Sequence, residues 1–124
     1  MKKAYTRRNG RKEKALIRLK ELFYGNEGYC FVMKEQGKTI GFIFARRQQW
    51  GNEHAVNVDD MTIARGFQGK GRGAALWKYF ENKMKSAGVA RIYLLVHVKS
   101  RAMKFHRKNG FWKMGDVLME KILK

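Results

Sequence analysis

Three glycines at alternate positions, Gly69, Gly71 and Gly73, with Lys70 and Arg72 between them, are the residues of this chain best placed to do chemistry. That chemistry is the binding of an anion. They lie between an apolar run from Ala55 to Ile63 and a helix-patterned stretch that reaches Ala87. The first backbone N–H groups of a helix lack intrahelical partners, and the macrodipole adds partial positive charge there, so a phosphate at that end is stabilised. Glycine removes the Cβ atoms that would block close approach and permits φ > 0 where the loop folds round a ligand. Lys70 and Arg72 add formal charge.

Two phosphate motifs can be compared with this turn. The Walker pattern needs GxxxxGK followed by Ser or Thr, and the chain has no such string. Gly69, Gly71 and Ala74 satisfy the dinucleotide spacing GxGxxG/A, but that fold places its turn after the first strand and continues with further βαβ units. Only 51 residues follow Gly73, too few for that.

Gln68-Gly69-Lys70-Gly71-Arg72-Gly73 also reads as Q/R-x-x-G-x-G/A, and about 30 residues later His97 to Phe111 is close to N-x-x-A-x-x-F-Y-x-x-x-G-F. In these two blocks the chain resembles the GNAT superfamily of acyl-CoA-dependent N-acyltransferases. The resemblance spans roughly Tyr29 to Leu123. It implies an α/β (α+β) fold: a mixed, mostly antiparallel central sheet with a splayed parallel strand pair, flanked by helices. It also implies acetyl-CoA as the acyl donor, with its pantetheine arm in the gap between the parted strands. By position, Met61 and Ile63 would lend backbone hydrogen bonds, and the N–H groups from Gly69 to Gly73 would receive the pyrophosphate. Gln68 stands at the Arg/Gln position of the motif, and Lys70 or Arg72 could pair with a nucleotide phosphate. Each such contact at a helix start contributes about 0.3–1 kcal/mol when exposed.

The reaction implied is attack by a neutral primary amine on the thioester carbonyl, then loss of the CoA thiolate. Deprotonating an alkyl ammonium at pH 7 costs about 4–5 kcal/mol, so a base is useful. Many relatives carry an acidic residue nine positions before Gln68, which here is Asp59. Asp60, next to it, would point to the opposite strand face as a hydrogen-bonding or anchoring group. The plainer reading is that both carboxylates offset nearby cations. The tyrosine that assists the thiolate in many relatives is replaced by His106, a candidate N–H donor or simply a packing residue. Lys99 replaces the usual Asn, removing the hydrogen bond made there to the cofactor.

Other side chains read as structural. Cys30, in the apolar run Tyr29 to Met33, reads as a buried, inert thiol. Trp50 is either a stacking surface or edge packing. His97 lies in a strand as a core group and His54 in a loop. No histidine pair has metal-ligand spacing, and one cysteine makes neither a zinc site nor an intrachain disulfide.

The elements that must position these residues follow from periodicity. Arg11 to Tyr24 has apolar residues at helical spacing, and Gly25 to Gly28 ends that helix. Tyr29 to Lys34 and Thr39 to Arg46 read as a hairpin, Arg47 to His54 as a loop, and Ala55 to Ile63 as the strand feeding the glycine turn. Leu76, Phe80, Met84 and Ala87 form the buried stripe of the next helix, roughly Gly71 to Ala87. Ala90 to Val98 is a near-continuous apolar run suited to a parallel strand buried on both faces, joined by a right-handed crossover. Ser100 caps a helix to Lys108, and Phe111 to Met114 with Val117 to Ile122 read as a closing hairpin.

At 124 residues and 44% hydrophobic content the chain reads as a single domain, residues 1–124, with residues 1–28 a basic arm and helix. Its 28 Lys and Arg against 10 Asp and Glu leave a net charge of +18, and nine of the cations fall between Met1 and Lys20. That arm is either solvated or faces a polyanion such as RNA or an acidic protein surface. Polar residues follow Met1-Lys2-Lys3 where a secretory signal needs an apolar core, and no apolar run approaches a membrane span, so the protein is expected in the cytoplasm. The charge suits an amine acceptor on a protein or ribosomal component better than a small cation. Only one helix precedes Tyr29 where relatives have more, which leaves the acceptor groove open or completed by a second subunit in a homodimer. The alternative function is a nucleic-acid- or ribosome-binding module on a catalytically degenerate scaffold of the same family.

Overall fold

A computed structural model describes residue 14, residues 16–18, residue 20, residues 23–50 and residues 52–123. The basic arm and part of the predicted first helix lie outside the described residues, as does the side chain of Trp50. Within that helix, Leu16, Ile17, Arg18 and Phe23 are helical.

Four strands form one sheet in the order β1 (Cys30–Glu35), β2 (Lys38–Trp50), β3 (Glu53–Ile63) and β4 (Arg91–Leu94). The first three are antiparallel; β3 and β4 are parallel, joined by the crossover helix α1 (Arg72–Ser86). Helix α2 (Arg101–Lys108) follows. This is the mixed, mostly antiparallel arrangement expected.

Local chemistry explains the joints. The first hairpin turns over Gln36 and Gly37, with φ of 50° and 76°, the left-handed pair whose twist matches flanking strands. At α2, Ser100 Oγ accepts from Met103 N at 3.3 Å, as the predicted cap should. Along α1, Leu76, Trp77, Phe80 and Met84 are buried against Ile43, Ala45, Val56 and Val58. Each fully buried apolar side chain of this size contributes about 1.5–3 kcal/mol.

Three expectations are corrected. Residues 47–54 are not a loop: β2 continues to Trp50 and β3 starts at Glu53, with Gln48 opposite Ala55 and Gln49 opposite His54. Ladder bonds are made by the backbone, so polar side chains at an exposed strand end do not prevent pairing. The fourth strand covers 91–94 rather than 90–98, and Leu95 and Val98 are 75% and 62% exposed. Finally, residues 111–123 form no hairpin; they contain neither helix nor strand, and Trp112–Leu123 are exposed. An apolar sequence signals a need for burial, but a strand forms only where a ladder partner reaches it, and none does so here among the described residues.

Candidate active site

The register between β2 and β3 sets the site. Phe44 faces Asp60 while Ala45 faces Val58, so Asp59 is the extra residue of a β-bulge. In an unbroken strand Val56, Val58, Asp60 and Thr62 would share one face. The bulge resets that alternation: Val56 and Val58 are buried beneath α1, and Met61 and Ile63 pack against the same core.

Asp59 turns to the other face with Arg46 and Asn57. Arg46 Nε and Nη2 approach its two oxygens at 2.5 and 2.9 Å, and Asn57 Nδ2 donates to Oδ1 at 3.1 Å. The bond to Asp59 pushes the Arg46 guanidinium above its ordinary value. Asp60 lies 3.7 Å from Arg18, on the N-terminal helical residues. Both carboxylates therefore face cations, and neither lines the cleft described next.

β3 and β4 pair from Ala55↔Arg91 to Val58↔Leu94 and then part, while β3 continues to Ile63. A cleft of about 370 Å³ opens there. Its apolar walls are Met61, Ile63, Ala102 and Phe105; Gln68, Gly73, Arg101 and His106 complete the lining. Gln68 Nε2 donates to the Ile63 carbonyl at 2.8 Å, fastening the glycine turn to the strand end.

At the start of α1, Gly71 is the N-cap with φ 80°, and Gly69 has φ 74°. These are the left-handed conformations that a side chain resists. No side chain caps the helix, and Gly71 O accepts from Ala75 N at 3.0 Å, so the preceding N–H groups face outward from the helix end. Gly73 has a different role. A Cβ there would meet Ile63 Cγ1 and Phe105 Cε1 at 3.9 Å, within the cleft. Apolar walls, a bare helix start and a floor kept open at Gly73 suit a long thioester arm that ends in a diphosphate.

The charged residues of the turn differ from one another. Arg72 is held by Glu35: Nε bonds Oε2, Nη2 donates to Oε1 at 3.0 Å, and the guanidinium lies 5.1 Å over the Phe67 ring. That bond holds the Glu35 carboxyl below its ordinary value, with Lys70's charge adding to the effect. Lys70 itself is exposed, as is Lys99, whose backbone N–H donates to His97 Nδ1 at 3.2 Å.

His106 sits in an aromatic box, with ring centroids 5.8 Å from Trp77, 5.3 Å from Phe105 and 5.4 Å from Phe111. Its Nδ1 is buried and has no hydrogen-bond partner among the described residues. Burial lowers its pKa, so the neutral imidazole is favoured. The remaining histidines differ from expectation: His97 is exposed, and His54 lies in β3 with Nε2 3.1 Å from Tyr29 Oη. Cys30 is half-buried, its thiol pKa raised chiefly by burial.

Sequence reasoning missed Phe105 and Ala102 as cleft walls, although both lie in the second motif block. It also missed Glu35 and Arg46, the partners of Arg72 and Asp59. Nothing local to either pair signals the contact.

A parallel pair that parts over a glycine turn and a helix start is the architecture of an acyl-group transferase domain. The acetyltransferase (GNAT) family profile matches residues 2–111, and the chain belongs to that family. Comparison with curated proteins gave no match. Among solved structures, a putative acetyl transferase from Pyrococcus furiosus is 19% identical with a TM-score of 0.79, over 98% of this chain and 86% of the other. The aminoglycoside N-acetyltransferase AAC(6')-Iy in complex with CoA gives 17% and 0.69, over 89% and 87%. A ribosomal-protein-alanine N-acetyltransferase from Brucella melitensis biovar Abortus 2308 gives 16% and 0.65, over 75% and 68%. At these identities the likeness is one of fold. Among the described residues no helix is long and apolar enough to cross a membrane.

Proposed function

We propose that the chain is an N-acetyltransferase that moves an acetyl group from acetyl-CoA to a primary amine by direct attack, with both substrates bound. The observation that carries this reading is the parting of β3 from β4 beside the bare start of α1. Family membership supports it, and a fold neighbour holds CoA.

In this reading Met61 and Ile63 offer backbone groups to the pantetheine arm, beyond the point where β4 ceases to pair with β3. Gln68 positions the turn. The N–H groups from Gly69 to Gly73 receive the diphosphate, and exposed Lys70 adds charge at low desolvation cost. Arg72 braces the turn against β1 through Glu35. Acetyl-CoA supplies the activated acyl group when bound. Neutral His106 donates an N–H to the departing sulfur, with bare Nδ1 turned into the aromatic box. Asp59 orients the amine and takes its proton, exchanging contact with Arg46 as it does so. Lys99, at the motif's Asn position, lies beside the start of α2.

With both site carboxylates paired to arginines, a polycationic small acceptor has few anionic partners. The reading therefore favours an amine on a protein or ribosomal component, or on a substrate with its own negative groups, in the cytoplasm. The net charge of +18 favours a second reading, a nucleic-acid- or ribosome-binding module without turnover.

Titration calorimetry with acetyl-CoA, alongside RNA binding across a salt series, separates the two. Saturable acetyl-CoA uptake with thiol release in the presence of amines supports the enzyme. No uptake at millimolar acetyl-CoA, with steeply salt-dependent RNA binding, supports the module. Asp59→Asn should slow turnover while leaving acetyl-CoA affinity within about twofold; an unchanged rate across pH removes Asp59 from the mechanism.

A further inference from the structure

The most conspicuous feature outside the cleft is the C-terminal segment. Trp112, Val117, Leu118, Met119, Ile122 and Leu123 are between 74% and 89% exposed. Among the described residues no backbone hydrogen bond involves Trp112–Leu123. Val117-Leu118-Met119-Glu120-Lys121-Ile122-Leu123 is apolar on both alternating faces, the composition of an interior strand. Its seven residues would span about 23 Å if extended.

The sheet has a matching deficit. β4 is its last strand and pairs only with β3, so its outer edge has no ladder partner among the described residues. The chain just beyond it exposes Leu95 and Val98. A free edge beside exposed apolar side chains is a ready template for strand addition.

We propose that Trp112–Leu123 is a strand donated to a second copy of this chain, where it pairs with the outer edge of β4, the two copies exchanging these segments reciprocally. Donor strand and acceptor edge are both present in one sequence, so a two-fold axis satisfies both at once. The departure point is fixed: Gly110 has φ 91°, Phe111 N donates to His106 O at 3.1 Å, and the Phe111 ring lies 5.3 Å from Trp77. The exchange therefore needs only the segment beyond that anchor to lie on the neighbour. Charge points to the same occupant. Residues 111–123 hold two lysines and two acids, a neutral stretch in a chain of +18, which suits self-association and not a polyanion. The proposal stands whether or not acetyl-CoA is the donor.

Sedimentation equilibrium of the full chain tests it first: a mass of about 29 kDa, twice the 14.6 kDa protomer, is expected. Isotope-filtered NOEs in a mixed sample of ¹³C-labelled and unlabelled chains should connect residues 117–123 of one copy to residues 91–98 of the other. Amide exchange of residues 117–123 should slow as concentration rises. Leu118→Asp with Ile122→Asp should give a protomer-sized species with an unchanged circular dichroism spectrum. A protomer mass at every concentration overturns the proposal, as does a dimer whose contacts from 117–123 to 91–98 lie within one chain or are missing. Should the double variant precipitate, the NOE pattern of the native chain still decides.

Discussion

Substituting Gly73 with alanine separates the fold from the proposed cofactor site, because the two should respond with opposite sign. Gly73 is the second residue of α1 and is not among the glycines with positive φ, so alanine keeps the backbone conformation. The added Cβ would meet Ile63 Cγ1 and Phe105 Cε1 at 3.9 Å, an ordinary contact distance. Alanine lowers the entropy of the unfolded chain and should stabilise by about 0.5–1 kcal/mol. At about 2.1 cal/mol/K per residue this raises Tm by about 2–4 °C for a chain of this length. The same methyl occupies the cleft where the diphosphate is proposed to reach the helix start. Loss of one charge-assisted N–H contact costs about 1.5–3 kcal/mol, so Kd for acetyl-CoA should rise tenfold or more. Scanning fluorimetry of the free protein and calorimetry with acetyl-CoA read the two effects separately. A fall in Tm would show that the fold itself demands glycine, and an unchanged Kd would place the cofactor elsewhere.

His106→Phe keeps the aromatic contacts with Trp77 and Phe111 and removes the unpartnered Nδ1. Stability should hold or rise by about 1 kcal/mol while turnover falls roughly 10²-fold; equal rates would make His106 a packing residue. The same group predicts a pH effect. Its folded pKa lies below the ordinary value of about 6.5, so on acidification the unfolded chain binds the proton first. His106's part of the stability should therefore be intact above that value and lost as pH falls through the lower folded pKa. Urea midpoints across this range should fall more in the native chain than in His106→Phe. Glu35→Gln should release Arg72 toward the helix start and tighten acetyl-CoA binding in a salt-dependent way; calorimetry showing no change at low salt would mean the pair does not compete with the diphosphate.

The glycine turn, the stripe of α1 and the Ser100 cap were all readable from the sequence, because each depends on residues within a few positions of one another. The strand order was nearly as accessible, since a parallel strand after a crossover helix has few ways to return. The site's polar residues were not. Alternation set Asp59 on the strand face of Met61 and Ile63, and only the register against β2 shows the bulge that turns it toward Arg46. Arg72 read as a phosphate ligand until the first hairpin brought Glu35 beside it, from 37 positions away. The last thirteen described residues carried a strand composition that a lone protomer leaves without a ladder.

From sequence alone came the family resemblance, the anion-binding turn and the identity of the core, since short-range periodicity and backbone stereochemistry control them. The direction of Asp59, the engagement of Arg72, the neutral aromatic setting of His106 and the unpaired C-terminal strand were decided by tertiary structure. Each depends on what distant segments place opposite a residue, and cross-strand register, burial and ion pairing exist only once those segments meet.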